Sequence, residues 1–331
     1  MTNDRITPLL DGARRIVTVC AGVQPGEQVV IVTDLARPPE ISLALANAVR
    51  KSGGVATICT TEPVPSGSEP PPVVTAALNA AAVILAPTTG ALYHTAAVRQ
   101  AASTGARFLG LTAFTPEVLV RGGVFADFPA LAWKAELLAK LLSNANEARV
   151  TTPAGTDLQV RLDGRDAVPI TGMARNPGER TGCPDIEAFI APLEDRSQGI
   201  VMVDASCSIA GVLDEPIWLR IEHGRAVSIA GGEGARLIRE ALEAADVPSV
   251  YTLAELAFGL NPEGIIRGVI VEDEGVAGTG HIALGSNIHF GGTNGAPLHL
   301  DFVFRKPTLW LDGEVVIDSG DFPTGFSVPA V

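Results

Sequence analysis

Cysteine is scarce in this chain, and no pair has a metal-binding or redox spacing. The 331 residues include four cysteines, Cys20, Cys59, Cys183 and Cys207, none in a CxxC motif. Disulfide frameworks and cysteine-based zinc sites need close, repeated spacings, whereas scattered cysteines are typical of small buried side chains in a reducing compartment. We therefore expect a cytoplasmic protein whose thiols are structural.

Long apolar runs and an excess of basic residues are also absent. No run of about 18 apolar residues could form a membrane span, and no apolar segment follows a basic start at the N-terminus, as in a signal peptide. The net charge of -13 leaves no basic surface for phosphates. We predict no membrane and no nucleic-acid partner. The 47% hydrophobic and 18% charged residues indicate a well-buried globular protein.

The first part of the chain alternates between apolar strands and amphipathic helices. In chain order the pattern predicts elements at 28–33, 39–52, 55–59, 73–80, 82–86, 92–103 and 107–111. Such alternation requires right-handed crossovers, which produce a parallel sheet with helices on both faces. Neither GxGxxG nor GxxxxGK[ST] occurs there, so a nucleotide site has no support from a motif.

After residue 147 the pattern changes to short strands separated by glycine-containing turns. A hairpin is predicted over 148–162, a helix over 233–245, and further strands that include 268–272, 280–284 and 298–304. We predict an α/β protein of two domains. Residues 1–146 form the α/β domain with the parallel sheet, and residues 147–331 form an α+β domain rich in antiparallel strands.

Three of the five histidines fall between positions 281 and 299, and one of them precedes an aspartate by two residues. On a strand, His299 and Asp301 share a face, while Leu300 and Phe302 fill the other face. A carboxylate beside so much apolar surface needs a partner, because burying it alone costs several kcal/mol. A divalent cation shared with His299 is one such partner. A hydrogen bond to His299 or an ion pair with Arg305 is the alternative.

The other polar residues of this part have ordinary structural explanations when only local pattern is considered. His281 lies on a predicted strand, and the acidic run 272–274 before it is typical of a solvated loop. Glu255 follows Thr252 by three residues, a spacing typical of a capping box at the start of a helix. Glu187 fits the exposed face of a strand. Local pattern alone therefore favours structural roles for both glutamates.

A series of motifs in the second part resembles the aminopeptidase T family of metallopeptidases. The resemblance runs from about residue 150 to 320 and keeps the order of the family's motifs, whereas the N-terminal part is similar in topology only. The motifs are EAFIAPLED from Glu187, AELAFGLNP from Ala254, EDEG from Glu272, GTGHIALG from Gly278, FGG from Phe290, HLDF from His299, and PT followed by WLDG from Pro307.

The resemblance implies a site that holds two divalent metals. The family's ligands fall on Glu187, Glu255, His281, His299 and Asp301, and this oxygen and nitrogen set suits Zn, Co or Mn. Metal-activated water would then hydrolyse an amide bond in a small peptide or peptide-like metabolite. It also implies self-association as a dimer or larger. Residues 147–331 would be catalytic, and we expect residues 1–146 to shape the substrate cleft.

This chain departs from the family just after the first histidine motif. The family carries a tyrosine there, and this chain has SNIHF at 286–290. We expect His289 to supply the missing donor to the developing oxyanion and Asn287 to bind substrate. The alternatives for His289 are that it only binds substrate or only fills space.

A divergent branch of the same fold, the 2,5-dihydroxypyridine dioxygenases, opens an aromatic ring with a single iron. That branch keeps the pair matching His299 and Asp301, has a histidine where this chain has Glu255, and lacks counterparts of Glu187 and His281.

Two histidines and one carboxylate form the ligand set of oxygen-activating iron(II). In this chain His281 or His289 would have to complete it. The retained glutamates favour the dinuclear hydrolase. The alternatives are an iron(II) ring-cleaving dioxygenase and a binding protein without catalysis.

Overall fold

The structure is a computed structural model and describes residues 3–323. Residues 324–331, the end of the second predicted domain, lie outside the described part. The strands in chain order are β1 Gln28–Asp34, β2 Val55–Thr61, β3 Val83–Ala86, β4 Arg107–Gly110, β5 Glu147–Thr151, β6 Asp157–Arg161, β7 Val168–Ile170, β8 Arg180–Gly182, β9 Glu187–Ile190, β10 Gln198–Val203, β11 Ser206–Cys207, β12 Gly211–Val212, β13 Ile217–Glu222, β14 Arg225–Ala230, β15 Leu253–Gly259, β16 Thr279–Gly285, β17 His299–Arg305, β18 Thr308–Leu311 and β19 Glu314–Ile317.

The helices are α1 Asn3–Ile6, α2 Leu10–Arg15, α3 Pro39–Lys51, α4 Pro72–Asn79, α5 Ala96–Ser103, α6 Phe128–Asn144, α7 Glu233–Ala244 and α8 Ile270–Asp273. No helix within the described residues has both the length and the apolar character needed to cross a bilayer.

The chain forms two compact units, each made of separated segments. Unit 1 comprises Met1–Ala130, Thr171–Asp185 and Pro262–Ile265, and unit 2 comprises Leu131–Ile170, Ile186–Asn261 and Ile266–Val331. The structure therefore does not divide the chain at the predicted boundary between residues 146 and 147. One physical reason is that β8 returns to pair with β4 and so extends the sheet of unit 1.

Sheet A, in unit 1, has the strand order β2-β1-β3-β4-β8, and all of its pairs are parallel. The parallel sheet predicted for the first part of the chain is therefore confirmed. Strands β3 and β4 are buried along their whole length, as expected for parallel strands covered on both faces. Residues from several strands and helices share one core cluster, which includes Val32, Leu78, Ile84, Val98 and Phe108.

The ends of the helices in unit 1 follow local chemistry. Helix α3 ends before Gly53, whose φ of 82° is left-handed, and the backbone N–H of Gly54 donates to the carbonyl of Val49 at 3.0 Å. This confirms the glycine-terminated helix that the sequence predicts. Helix α5 starts later than the predicted residue 92, because the hydroxyl of Thr95 caps it by accepting from the N–H of Val98 at 3.3 Å.

Unit 2 contains two antiparallel sheets, as predicted for the second part of the chain. Sheet B has the order β14-β13-β10-β6-β5-β18-β19, and sheet C has the order β12-β11-β17-β16-β15-β9-β7. Antiparallel strands can keep one face apolar and the other polar, because successive side chains alternate. This property makes sheet C able to carry a cluster of polar side chains.

Two local predictions for unit 2 are wrong. Glu255 lies in the middle of β15, so Thr252 and Glu255 do not start a helix. The strand predicted at 268–272 is absent from the described structure. Gly268 instead has a φ of 84°, and the short helix α8 begins at Ile270. Both errors arose from reading short segments without their tertiary contacts.

Candidate metal centre

The five predicted donors lie on one face of sheet C. Directly opposed residues on neighbouring antiparallel strands share a face, as do alternate residues on one strand. The pairs that fix this arrangement are Gly285 with His299, Ala283 with Asp301, Ala283 with Glu255, Ala257 with His281, and Gly259 with Glu187. Residues from four strands, distant in sequence, therefore converge as the resemblance implied.

Small residues lie between the donors on this face. Ala283 is directly opposite both Glu255 and Asp301, and Ala257 is directly opposite His281. An alanine extends only one methyl group from the sheet, so the longer acidic and imidazole side chains can meet above it. The sequence of β16 thus places a small side chain between the carboxylates of Glu255 and Asp301.

Glu255 stands at the centre of the cluster. One of its carboxylate oxygens is 3.4 Å from Nε2 of His281, and the other is 3.1 Å from Nε2 of His299. The residue is only 5% exposed. Burial raises the pKa of Glu255, but the hydrogen bonds from His281 and His299 outweigh burial and leave the pKa below its ordinary value.

His299 is held so that one nitrogen faces the carboxylates. Its Nδ1 lies 2.8 Å from the backbone carbonyl of Ser286 and donates to it, since a carbonyl can only accept. Its Nε2 is 3.2 Å from Oδ1 of Asp301. This is the usual way in which a protein fixes the tautomer of a metal-binding imidazole. Burial lowers the pKa of His299, but Asp301 and Glu255 outweigh it and hold the pKa well above its ordinary value.

A serine orients Asp301 from the other side. The hydroxyl of Ser208 donates to Oδ2 of Asp301 at 3.0 Å and accepts from the backbone N–H of Asp301 at 2.9 Å. Burial raises the pKa of Asp301, but the charge of His299 and the hydrogen bonds from His299 and Ser208 lower it to about 2. Asp301 is therefore a preoriented carboxylate.

His281 provides the test of whether a metal fits. Its Nδ1 is buried without a hydrogen-bond partner among the described residues, and it lies 3.7 Å from Oε2 of Glu187, too far for a hydrogen bond. A buried imidazole nitrogen left in this state is rare in proteins and calls for an explanation such as an ion. Oxygen and imidazole donors at such spacings suit a divalent transition metal.

The donors form groups in which the ligand atoms lie within 4.8 Å of one another. One group is Glu187, Glu255 and His281, and a second is Glu255, His299 and Asp301. Glu255 belongs to both. The structure therefore brings together all five residues that the resemblance singled out, and their role as metal ligands remains a prediction.

The sequence interpretation missed Glu274. This partly buried residue forms a third group with His281 and Asp301. Burial together with the negative charges of Asp301, Glu187 and Glu255 raises its pKa well above the ordinary value. The EDEG motif was the available signal, because its position in the resemblance placed it near the ligands.

The prediction that residues 272–274 form a solvated loop is wrong. Glu272 is 1% exposed and Asp273 is fully buried. A carboxylate oxygen of Glu272 is 3.0 Å from Nε of Arg267, and the carboxylate of Asp273 accepts the backbone N–H groups of Arg267 and Gly268 at 2.8 and 2.9 Å. The segment is anchored inside unit 2. The prediction that Glu187 faces water is also wrong, because Glu187 is 4% exposed on the fully buried strand β9.

The loop after β16 contains the two residues for which the sequence predicts substrate and catalytic roles. Asn287 is fully buried; its amide N–H donates to Glu194 at 3.1 Å and its amide oxygen accepts from the N–H of Asn294 at 2.8 Å. This geometry favours a role in ordering the loop over contact with substrate. His289 is exposed, and its catalytic role remains a prediction.

An aromatic wall stands beside His299. The ring of Phe290 lies edge-on to the imidazole of His299 at 5.7 Å and edge-on to Phe189 at 5.2 Å. Ile170, Phe189 and Ala257 form a small buried cluster against which Phe290 packs. The donor cluster therefore has an apolar, aromatic border on one side.

Comparison with known proteins gives the relatives of this chain. Residues 9–324 match the NicX family, described as 2,5-dihydroxypyridine 5,6-dioxygenase. The 2,5-dihydroxypyridine 5,6-dioxygenase of Pseudomonas putida is 30% identical over 242 residues, which cover 70% of this chain and 68% of that protein. Aminopeptidase T of Thermus aquaticus is 29% identical over 127 residues, which cover 35% of this chain and 30% of that protein.

A solved structure of the 2,5-dihydroxypyridine dioxygenase from Pseudomonas putida KT2440 has the same fold. It superposes with a TM-score of 0.79 at 23% identity and covers 95% of this chain and 96% of that chain. At this identity the likeness bears on the fold alone, and it confirms the predicted fold class. The family match and the sequence relatives among both dioxygenases and aminopeptidases confirm the predicted shared superfamily.

Proposed function

This chain belongs to the NicX family of 2,5-dihydroxypyridine 5,6-dioxygenases, and we propose that it is an iron(II)-dependent dioxygenase that opens the ring of a hydroxylated, pyridine-type aromatic compound. The observation that carries the proposal is the family match, which spans residues 9–324 and therefore every donor of the candidate metal centre. The ring-cleaving function, named from sequence as the alternative, thus becomes the leading one.

The donor set is compatible with iron. His299 and Asp301 would hold the metal together with His281, and two histidines with a carboxylate are the ligands typical of non-haem iron(II) oxygenases. Iron(II), when bound, would activate dioxygen for ring opening. Ser286 and Ser208 keep His299 and Asp301 in the orientation that ligation needs.

The surrounding residues suit a flat, apolar ring bearing polar groups. Phe290 offers an aromatic edge next to His299, and Phe189 supports it from behind. Aromatic rings prefer offset or edge-to-face contacts with one another. A heteroaromatic ring seated beside Phe290 would be shielded from water on that side, with its hydroxyl groups directed at the metal ligands.

A second candidate function is favoured by a separate observation. The donors form two groups that share Glu255, an arrangement that suits two metals bridged by one carboxylate. Zn, Co or Mn in such a pair would activate water to hydrolyse an amide bond. Under this proposal the substrate would be a small peptide or peptide-like metabolite.

Oxygen consumption separates the two functions. Protein reconstituted anaerobically with iron(II) and given 2,5-dihydroxypyridine is expected to consume oxygen in step with the loss of ring absorbance, with about one iron per chain. Asp301→Asn should abolish the reaction, and Asp157→Asn, in the exposed β5–β6 hairpin, should not. Undiminished turnover without oxygen, or hydrolysis of dipeptides by protein carrying two zinc, cobalt or manganese ions, would contradict the dioxygenase and favour the hydrolase.

Self-association and a cytoplasmic location remain predictions.

A further inference from the structure

An ion pair between buried Arg165 and partly buried Glu194 lies near the metal centre without containing any of its donors. Arg165 is 9% exposed, and one nitrogen of its guanidinium is 2.5 Å from Oε2 of Glu194. A second nitrogen of Arg165 donates to the backbone carbonyl of Gly291. Because the arginine fork is rigid, the two contacts fix Gly291 relative to Glu194.

The other carboxylate oxygen of Glu194 accepts hydrogen bonds from two residues of the same loop. Oε1 of Glu194 accepts the backbone N–H of Thr293 at 2.6 Å and the amide of Asn287 at 3.1 Å. Burial raises the pKa of Glu194, but the hydrogen bonds from Thr293 and Asn287 and the charge of Arg165 outweigh it and lower the pKa. Glu194 is thus a carboxylate bound by neutral and cationic donors.

Residues 286–294, which we call the site loop, are closed tightly around Asn287. The carbonyl of Asn287 accepts the N–H of Gly292 at 3.1 Å. A Cβ atom at Gly292 would lie 1.9 Å from the side chain of Asn287, so only glycine fits there. The loop is therefore compact around Asn287, and Arg165 and Glu194 form hydrogen bonds with its backbone.

The opposite side of the site loop touches the metal centre at two points. The carbonyl of Ser286, at the start of the loop, accepts the hydrogen bond from Nδ1 of His299. Phe290, at the middle of the loop, contacts the imidazole of His299. Displacement of the loop would change both the orientation of His299 and the aromatic wall.

We propose that Arg165 and Glu194 are a positioning pair for the metal centre, acting through the site loop on His299 and on Phe290, and that Phe290 sets the preference for a flat aromatic ligand. The inference rests on the metal site of the proposed function and not on its reaction. It requires only that His299 binds a metal and that the ligand contacts Phe290.

The first test measures metal affinity without turnover. Metal-free protein is titrated with cobalt(II), whose absorption spectrum reports on the ligand geometry. Glu194→Gln removes the charge that pairs with Arg165 and is expected to weaken cobalt binding by about 10- to 100-fold, the usual effect of removing a group that orients a metal ligand. The matched control is Asp157→Asn, which breaks the exposed pair with Arg149 and should change cobalt affinity less than about twofold.

Circular dichroism decides whether the variant is folded. A folded Glu194→Gln that binds cobalt as tightly as the control would overturn the proposal. If Glu194→Gln does not fold, Arg165→Lys replaces it, because lysine keeps the charge but lacks the rigid fork whose two nitrogens bond separately to Gly291 and Glu194. Several-fold weaker cobalt binding is expected for Arg165→Lys, and unchanged binding would overturn the proposal.

The second test measures binding of 2,5-dihydroxypyridine to the cobalt-loaded protein. Phe290→Ala and Glu194→Gln should each weaken this binding. The double variant should bind 2,5-dihydroxypyridine only slightly less tightly than whichever single variant binds it less tightly, because both changes act on the same aromatic wall. Fully additive effects, or no effect of Phe290→Ala, would overturn the role of Phe290. Cobalt binding and dihydroxypyridine binding need no oxygen, so failure of the dioxygenase reaction would leave both results interpretable.

Discussion

Buried carboxylates occur in both units, but their surroundings differ. In sheet A, Asp34 is 3% exposed and accepts hydrogen bonds from the N–H of Thr89 at 2.5 Å, the hydroxyl of Thr89 at 2.9 Å and the N–H of Ala36 at 3.0 Å. Neutral donors from the segments that follow β1 and β3 thus stabilise its charge. In sheet C, Glu255 and Asp301 instead face imidazoles and lie near further carboxylates. The charge of Asp34 is met by neutral donors of the chain, whereas the carboxylates of sheet C are grouped with imidazoles as a candidate metal centre.

The difference follows from the free energy of burying charge. Hydrogen bonds from three neutral groups can offset the desolvation of one carboxylate. Several carboxylates that face one another repel in a medium of low dielectric constant. The raised pKa of Glu274 records this repulsion, since burial and the charges of Asp301, Glu187 and Glu255 all favour its protonated form. A bound divalent cation would remove the repulsion.

The largest expected effect is the loss of a donor. Asp301→Ala should reduce metal affinity and turnover by more than about 100-fold, beyond the effect of changing a supporting residue. Ser208→Ala, which removes only the hydroxyl that orients Asp301, should cost about 10-fold. Metal titration of the purified variants measures both. Equal metal affinity in Asp301→Ala and the parent protein would contradict the contrast between the two sheets.

The next effect is the response of stability to metal and pH. Without metal, the raised pKa of His299 gives stability that is complete below its unfolded value of about 6.5 and is lost as the pH rises through the folded value. The lowered pKa of Asp301 gives stability that is present above its unfolded value of about 3.9 and is lost as the pH falls through about 2.

The metal-free protein should therefore be most stable between about pH 3.9 and about pH 6.5, the unfolded pKa values of Asp301 and His299. Its free energy of unfolding should fall from pH 6 towards pH 9. Metal at about 100 times its dissociation constant should add about 2.7 kcal/mol. This gain should shrink as the pH falls, because protons compete for the donors. Urea unfolding with and without chelator measures both trends. A metal gain that grows with acidity would contradict the assignment.

A smaller effect is expected from filling the space above β16. Ala283→Val places two extra methyl groups between Glu255 and Asp301, so metal affinity should fall by about 10-fold, equivalent to about 1.4 kcal/mol, within the range for overpacking. Ala283→Gly, which removes bulk at the same position, serves as the control, with metal affinity nearly unchanged. Isothermal titration calorimetry compares the two. Tighter binding in Ala283→Val would show that the ion does not lie there.

The smallest effect on the metal centre should come from Asp34. Asp34→Asn keeps the shape of the side chain but removes its charge and mismatches one donor, which should lower the free energy of unfolding by about 1 kcal/mol. Metal affinity should not change. Denaturant unfolding and metal titration measured on the same sample check both statements. A loss of metal affinity in this variant would contradict the claim that the charge of Asp34 is satisfied by its own hydrogen-bond donors and does not contribute to metal binding.

The sequence predicted β16 and β17, which carry His281, His299 and Asp301, because their periodicity is local, but it did not predict β15, which carries Glu255. Alternation places His299 with Asp301 on one face of β17, and the structure confirms this placement. The same alternation could not show that β15 lies beside β16, since strand order depends on contacts between distant segments. Only the resemblance connected Glu187 and Glu255 with the histidines.

The features that the sequence missed are those set by tertiary contacts. Glu274 follows a short helix, α8, whose buried Glu272 pairs with Arg267 and whose buried Asp273 accepts backbone N–H groups. No local pattern distinguishes such a buried acidic segment from a solvated acidic loop. The site loop is similar. Its conformation depends on Arg165 and Glu194, which lie far from it in sequence. Long-range ion pairs leave no periodic signal in a single sequence.

The position of a bound metal tests the central claim most directly. Crystals of the protein soaked in cobalt(II) should show an anomalous scattering peak within bonding distance of Nε2 of His299 and of the carboxylates of Asp301 and Glu255, with a second peak towards Glu187 and His281 if two ions bind. A clear cobalt peak elsewhere, with none between His299 and Asp301, would contradict the claim that this face of sheet C is a metal centre.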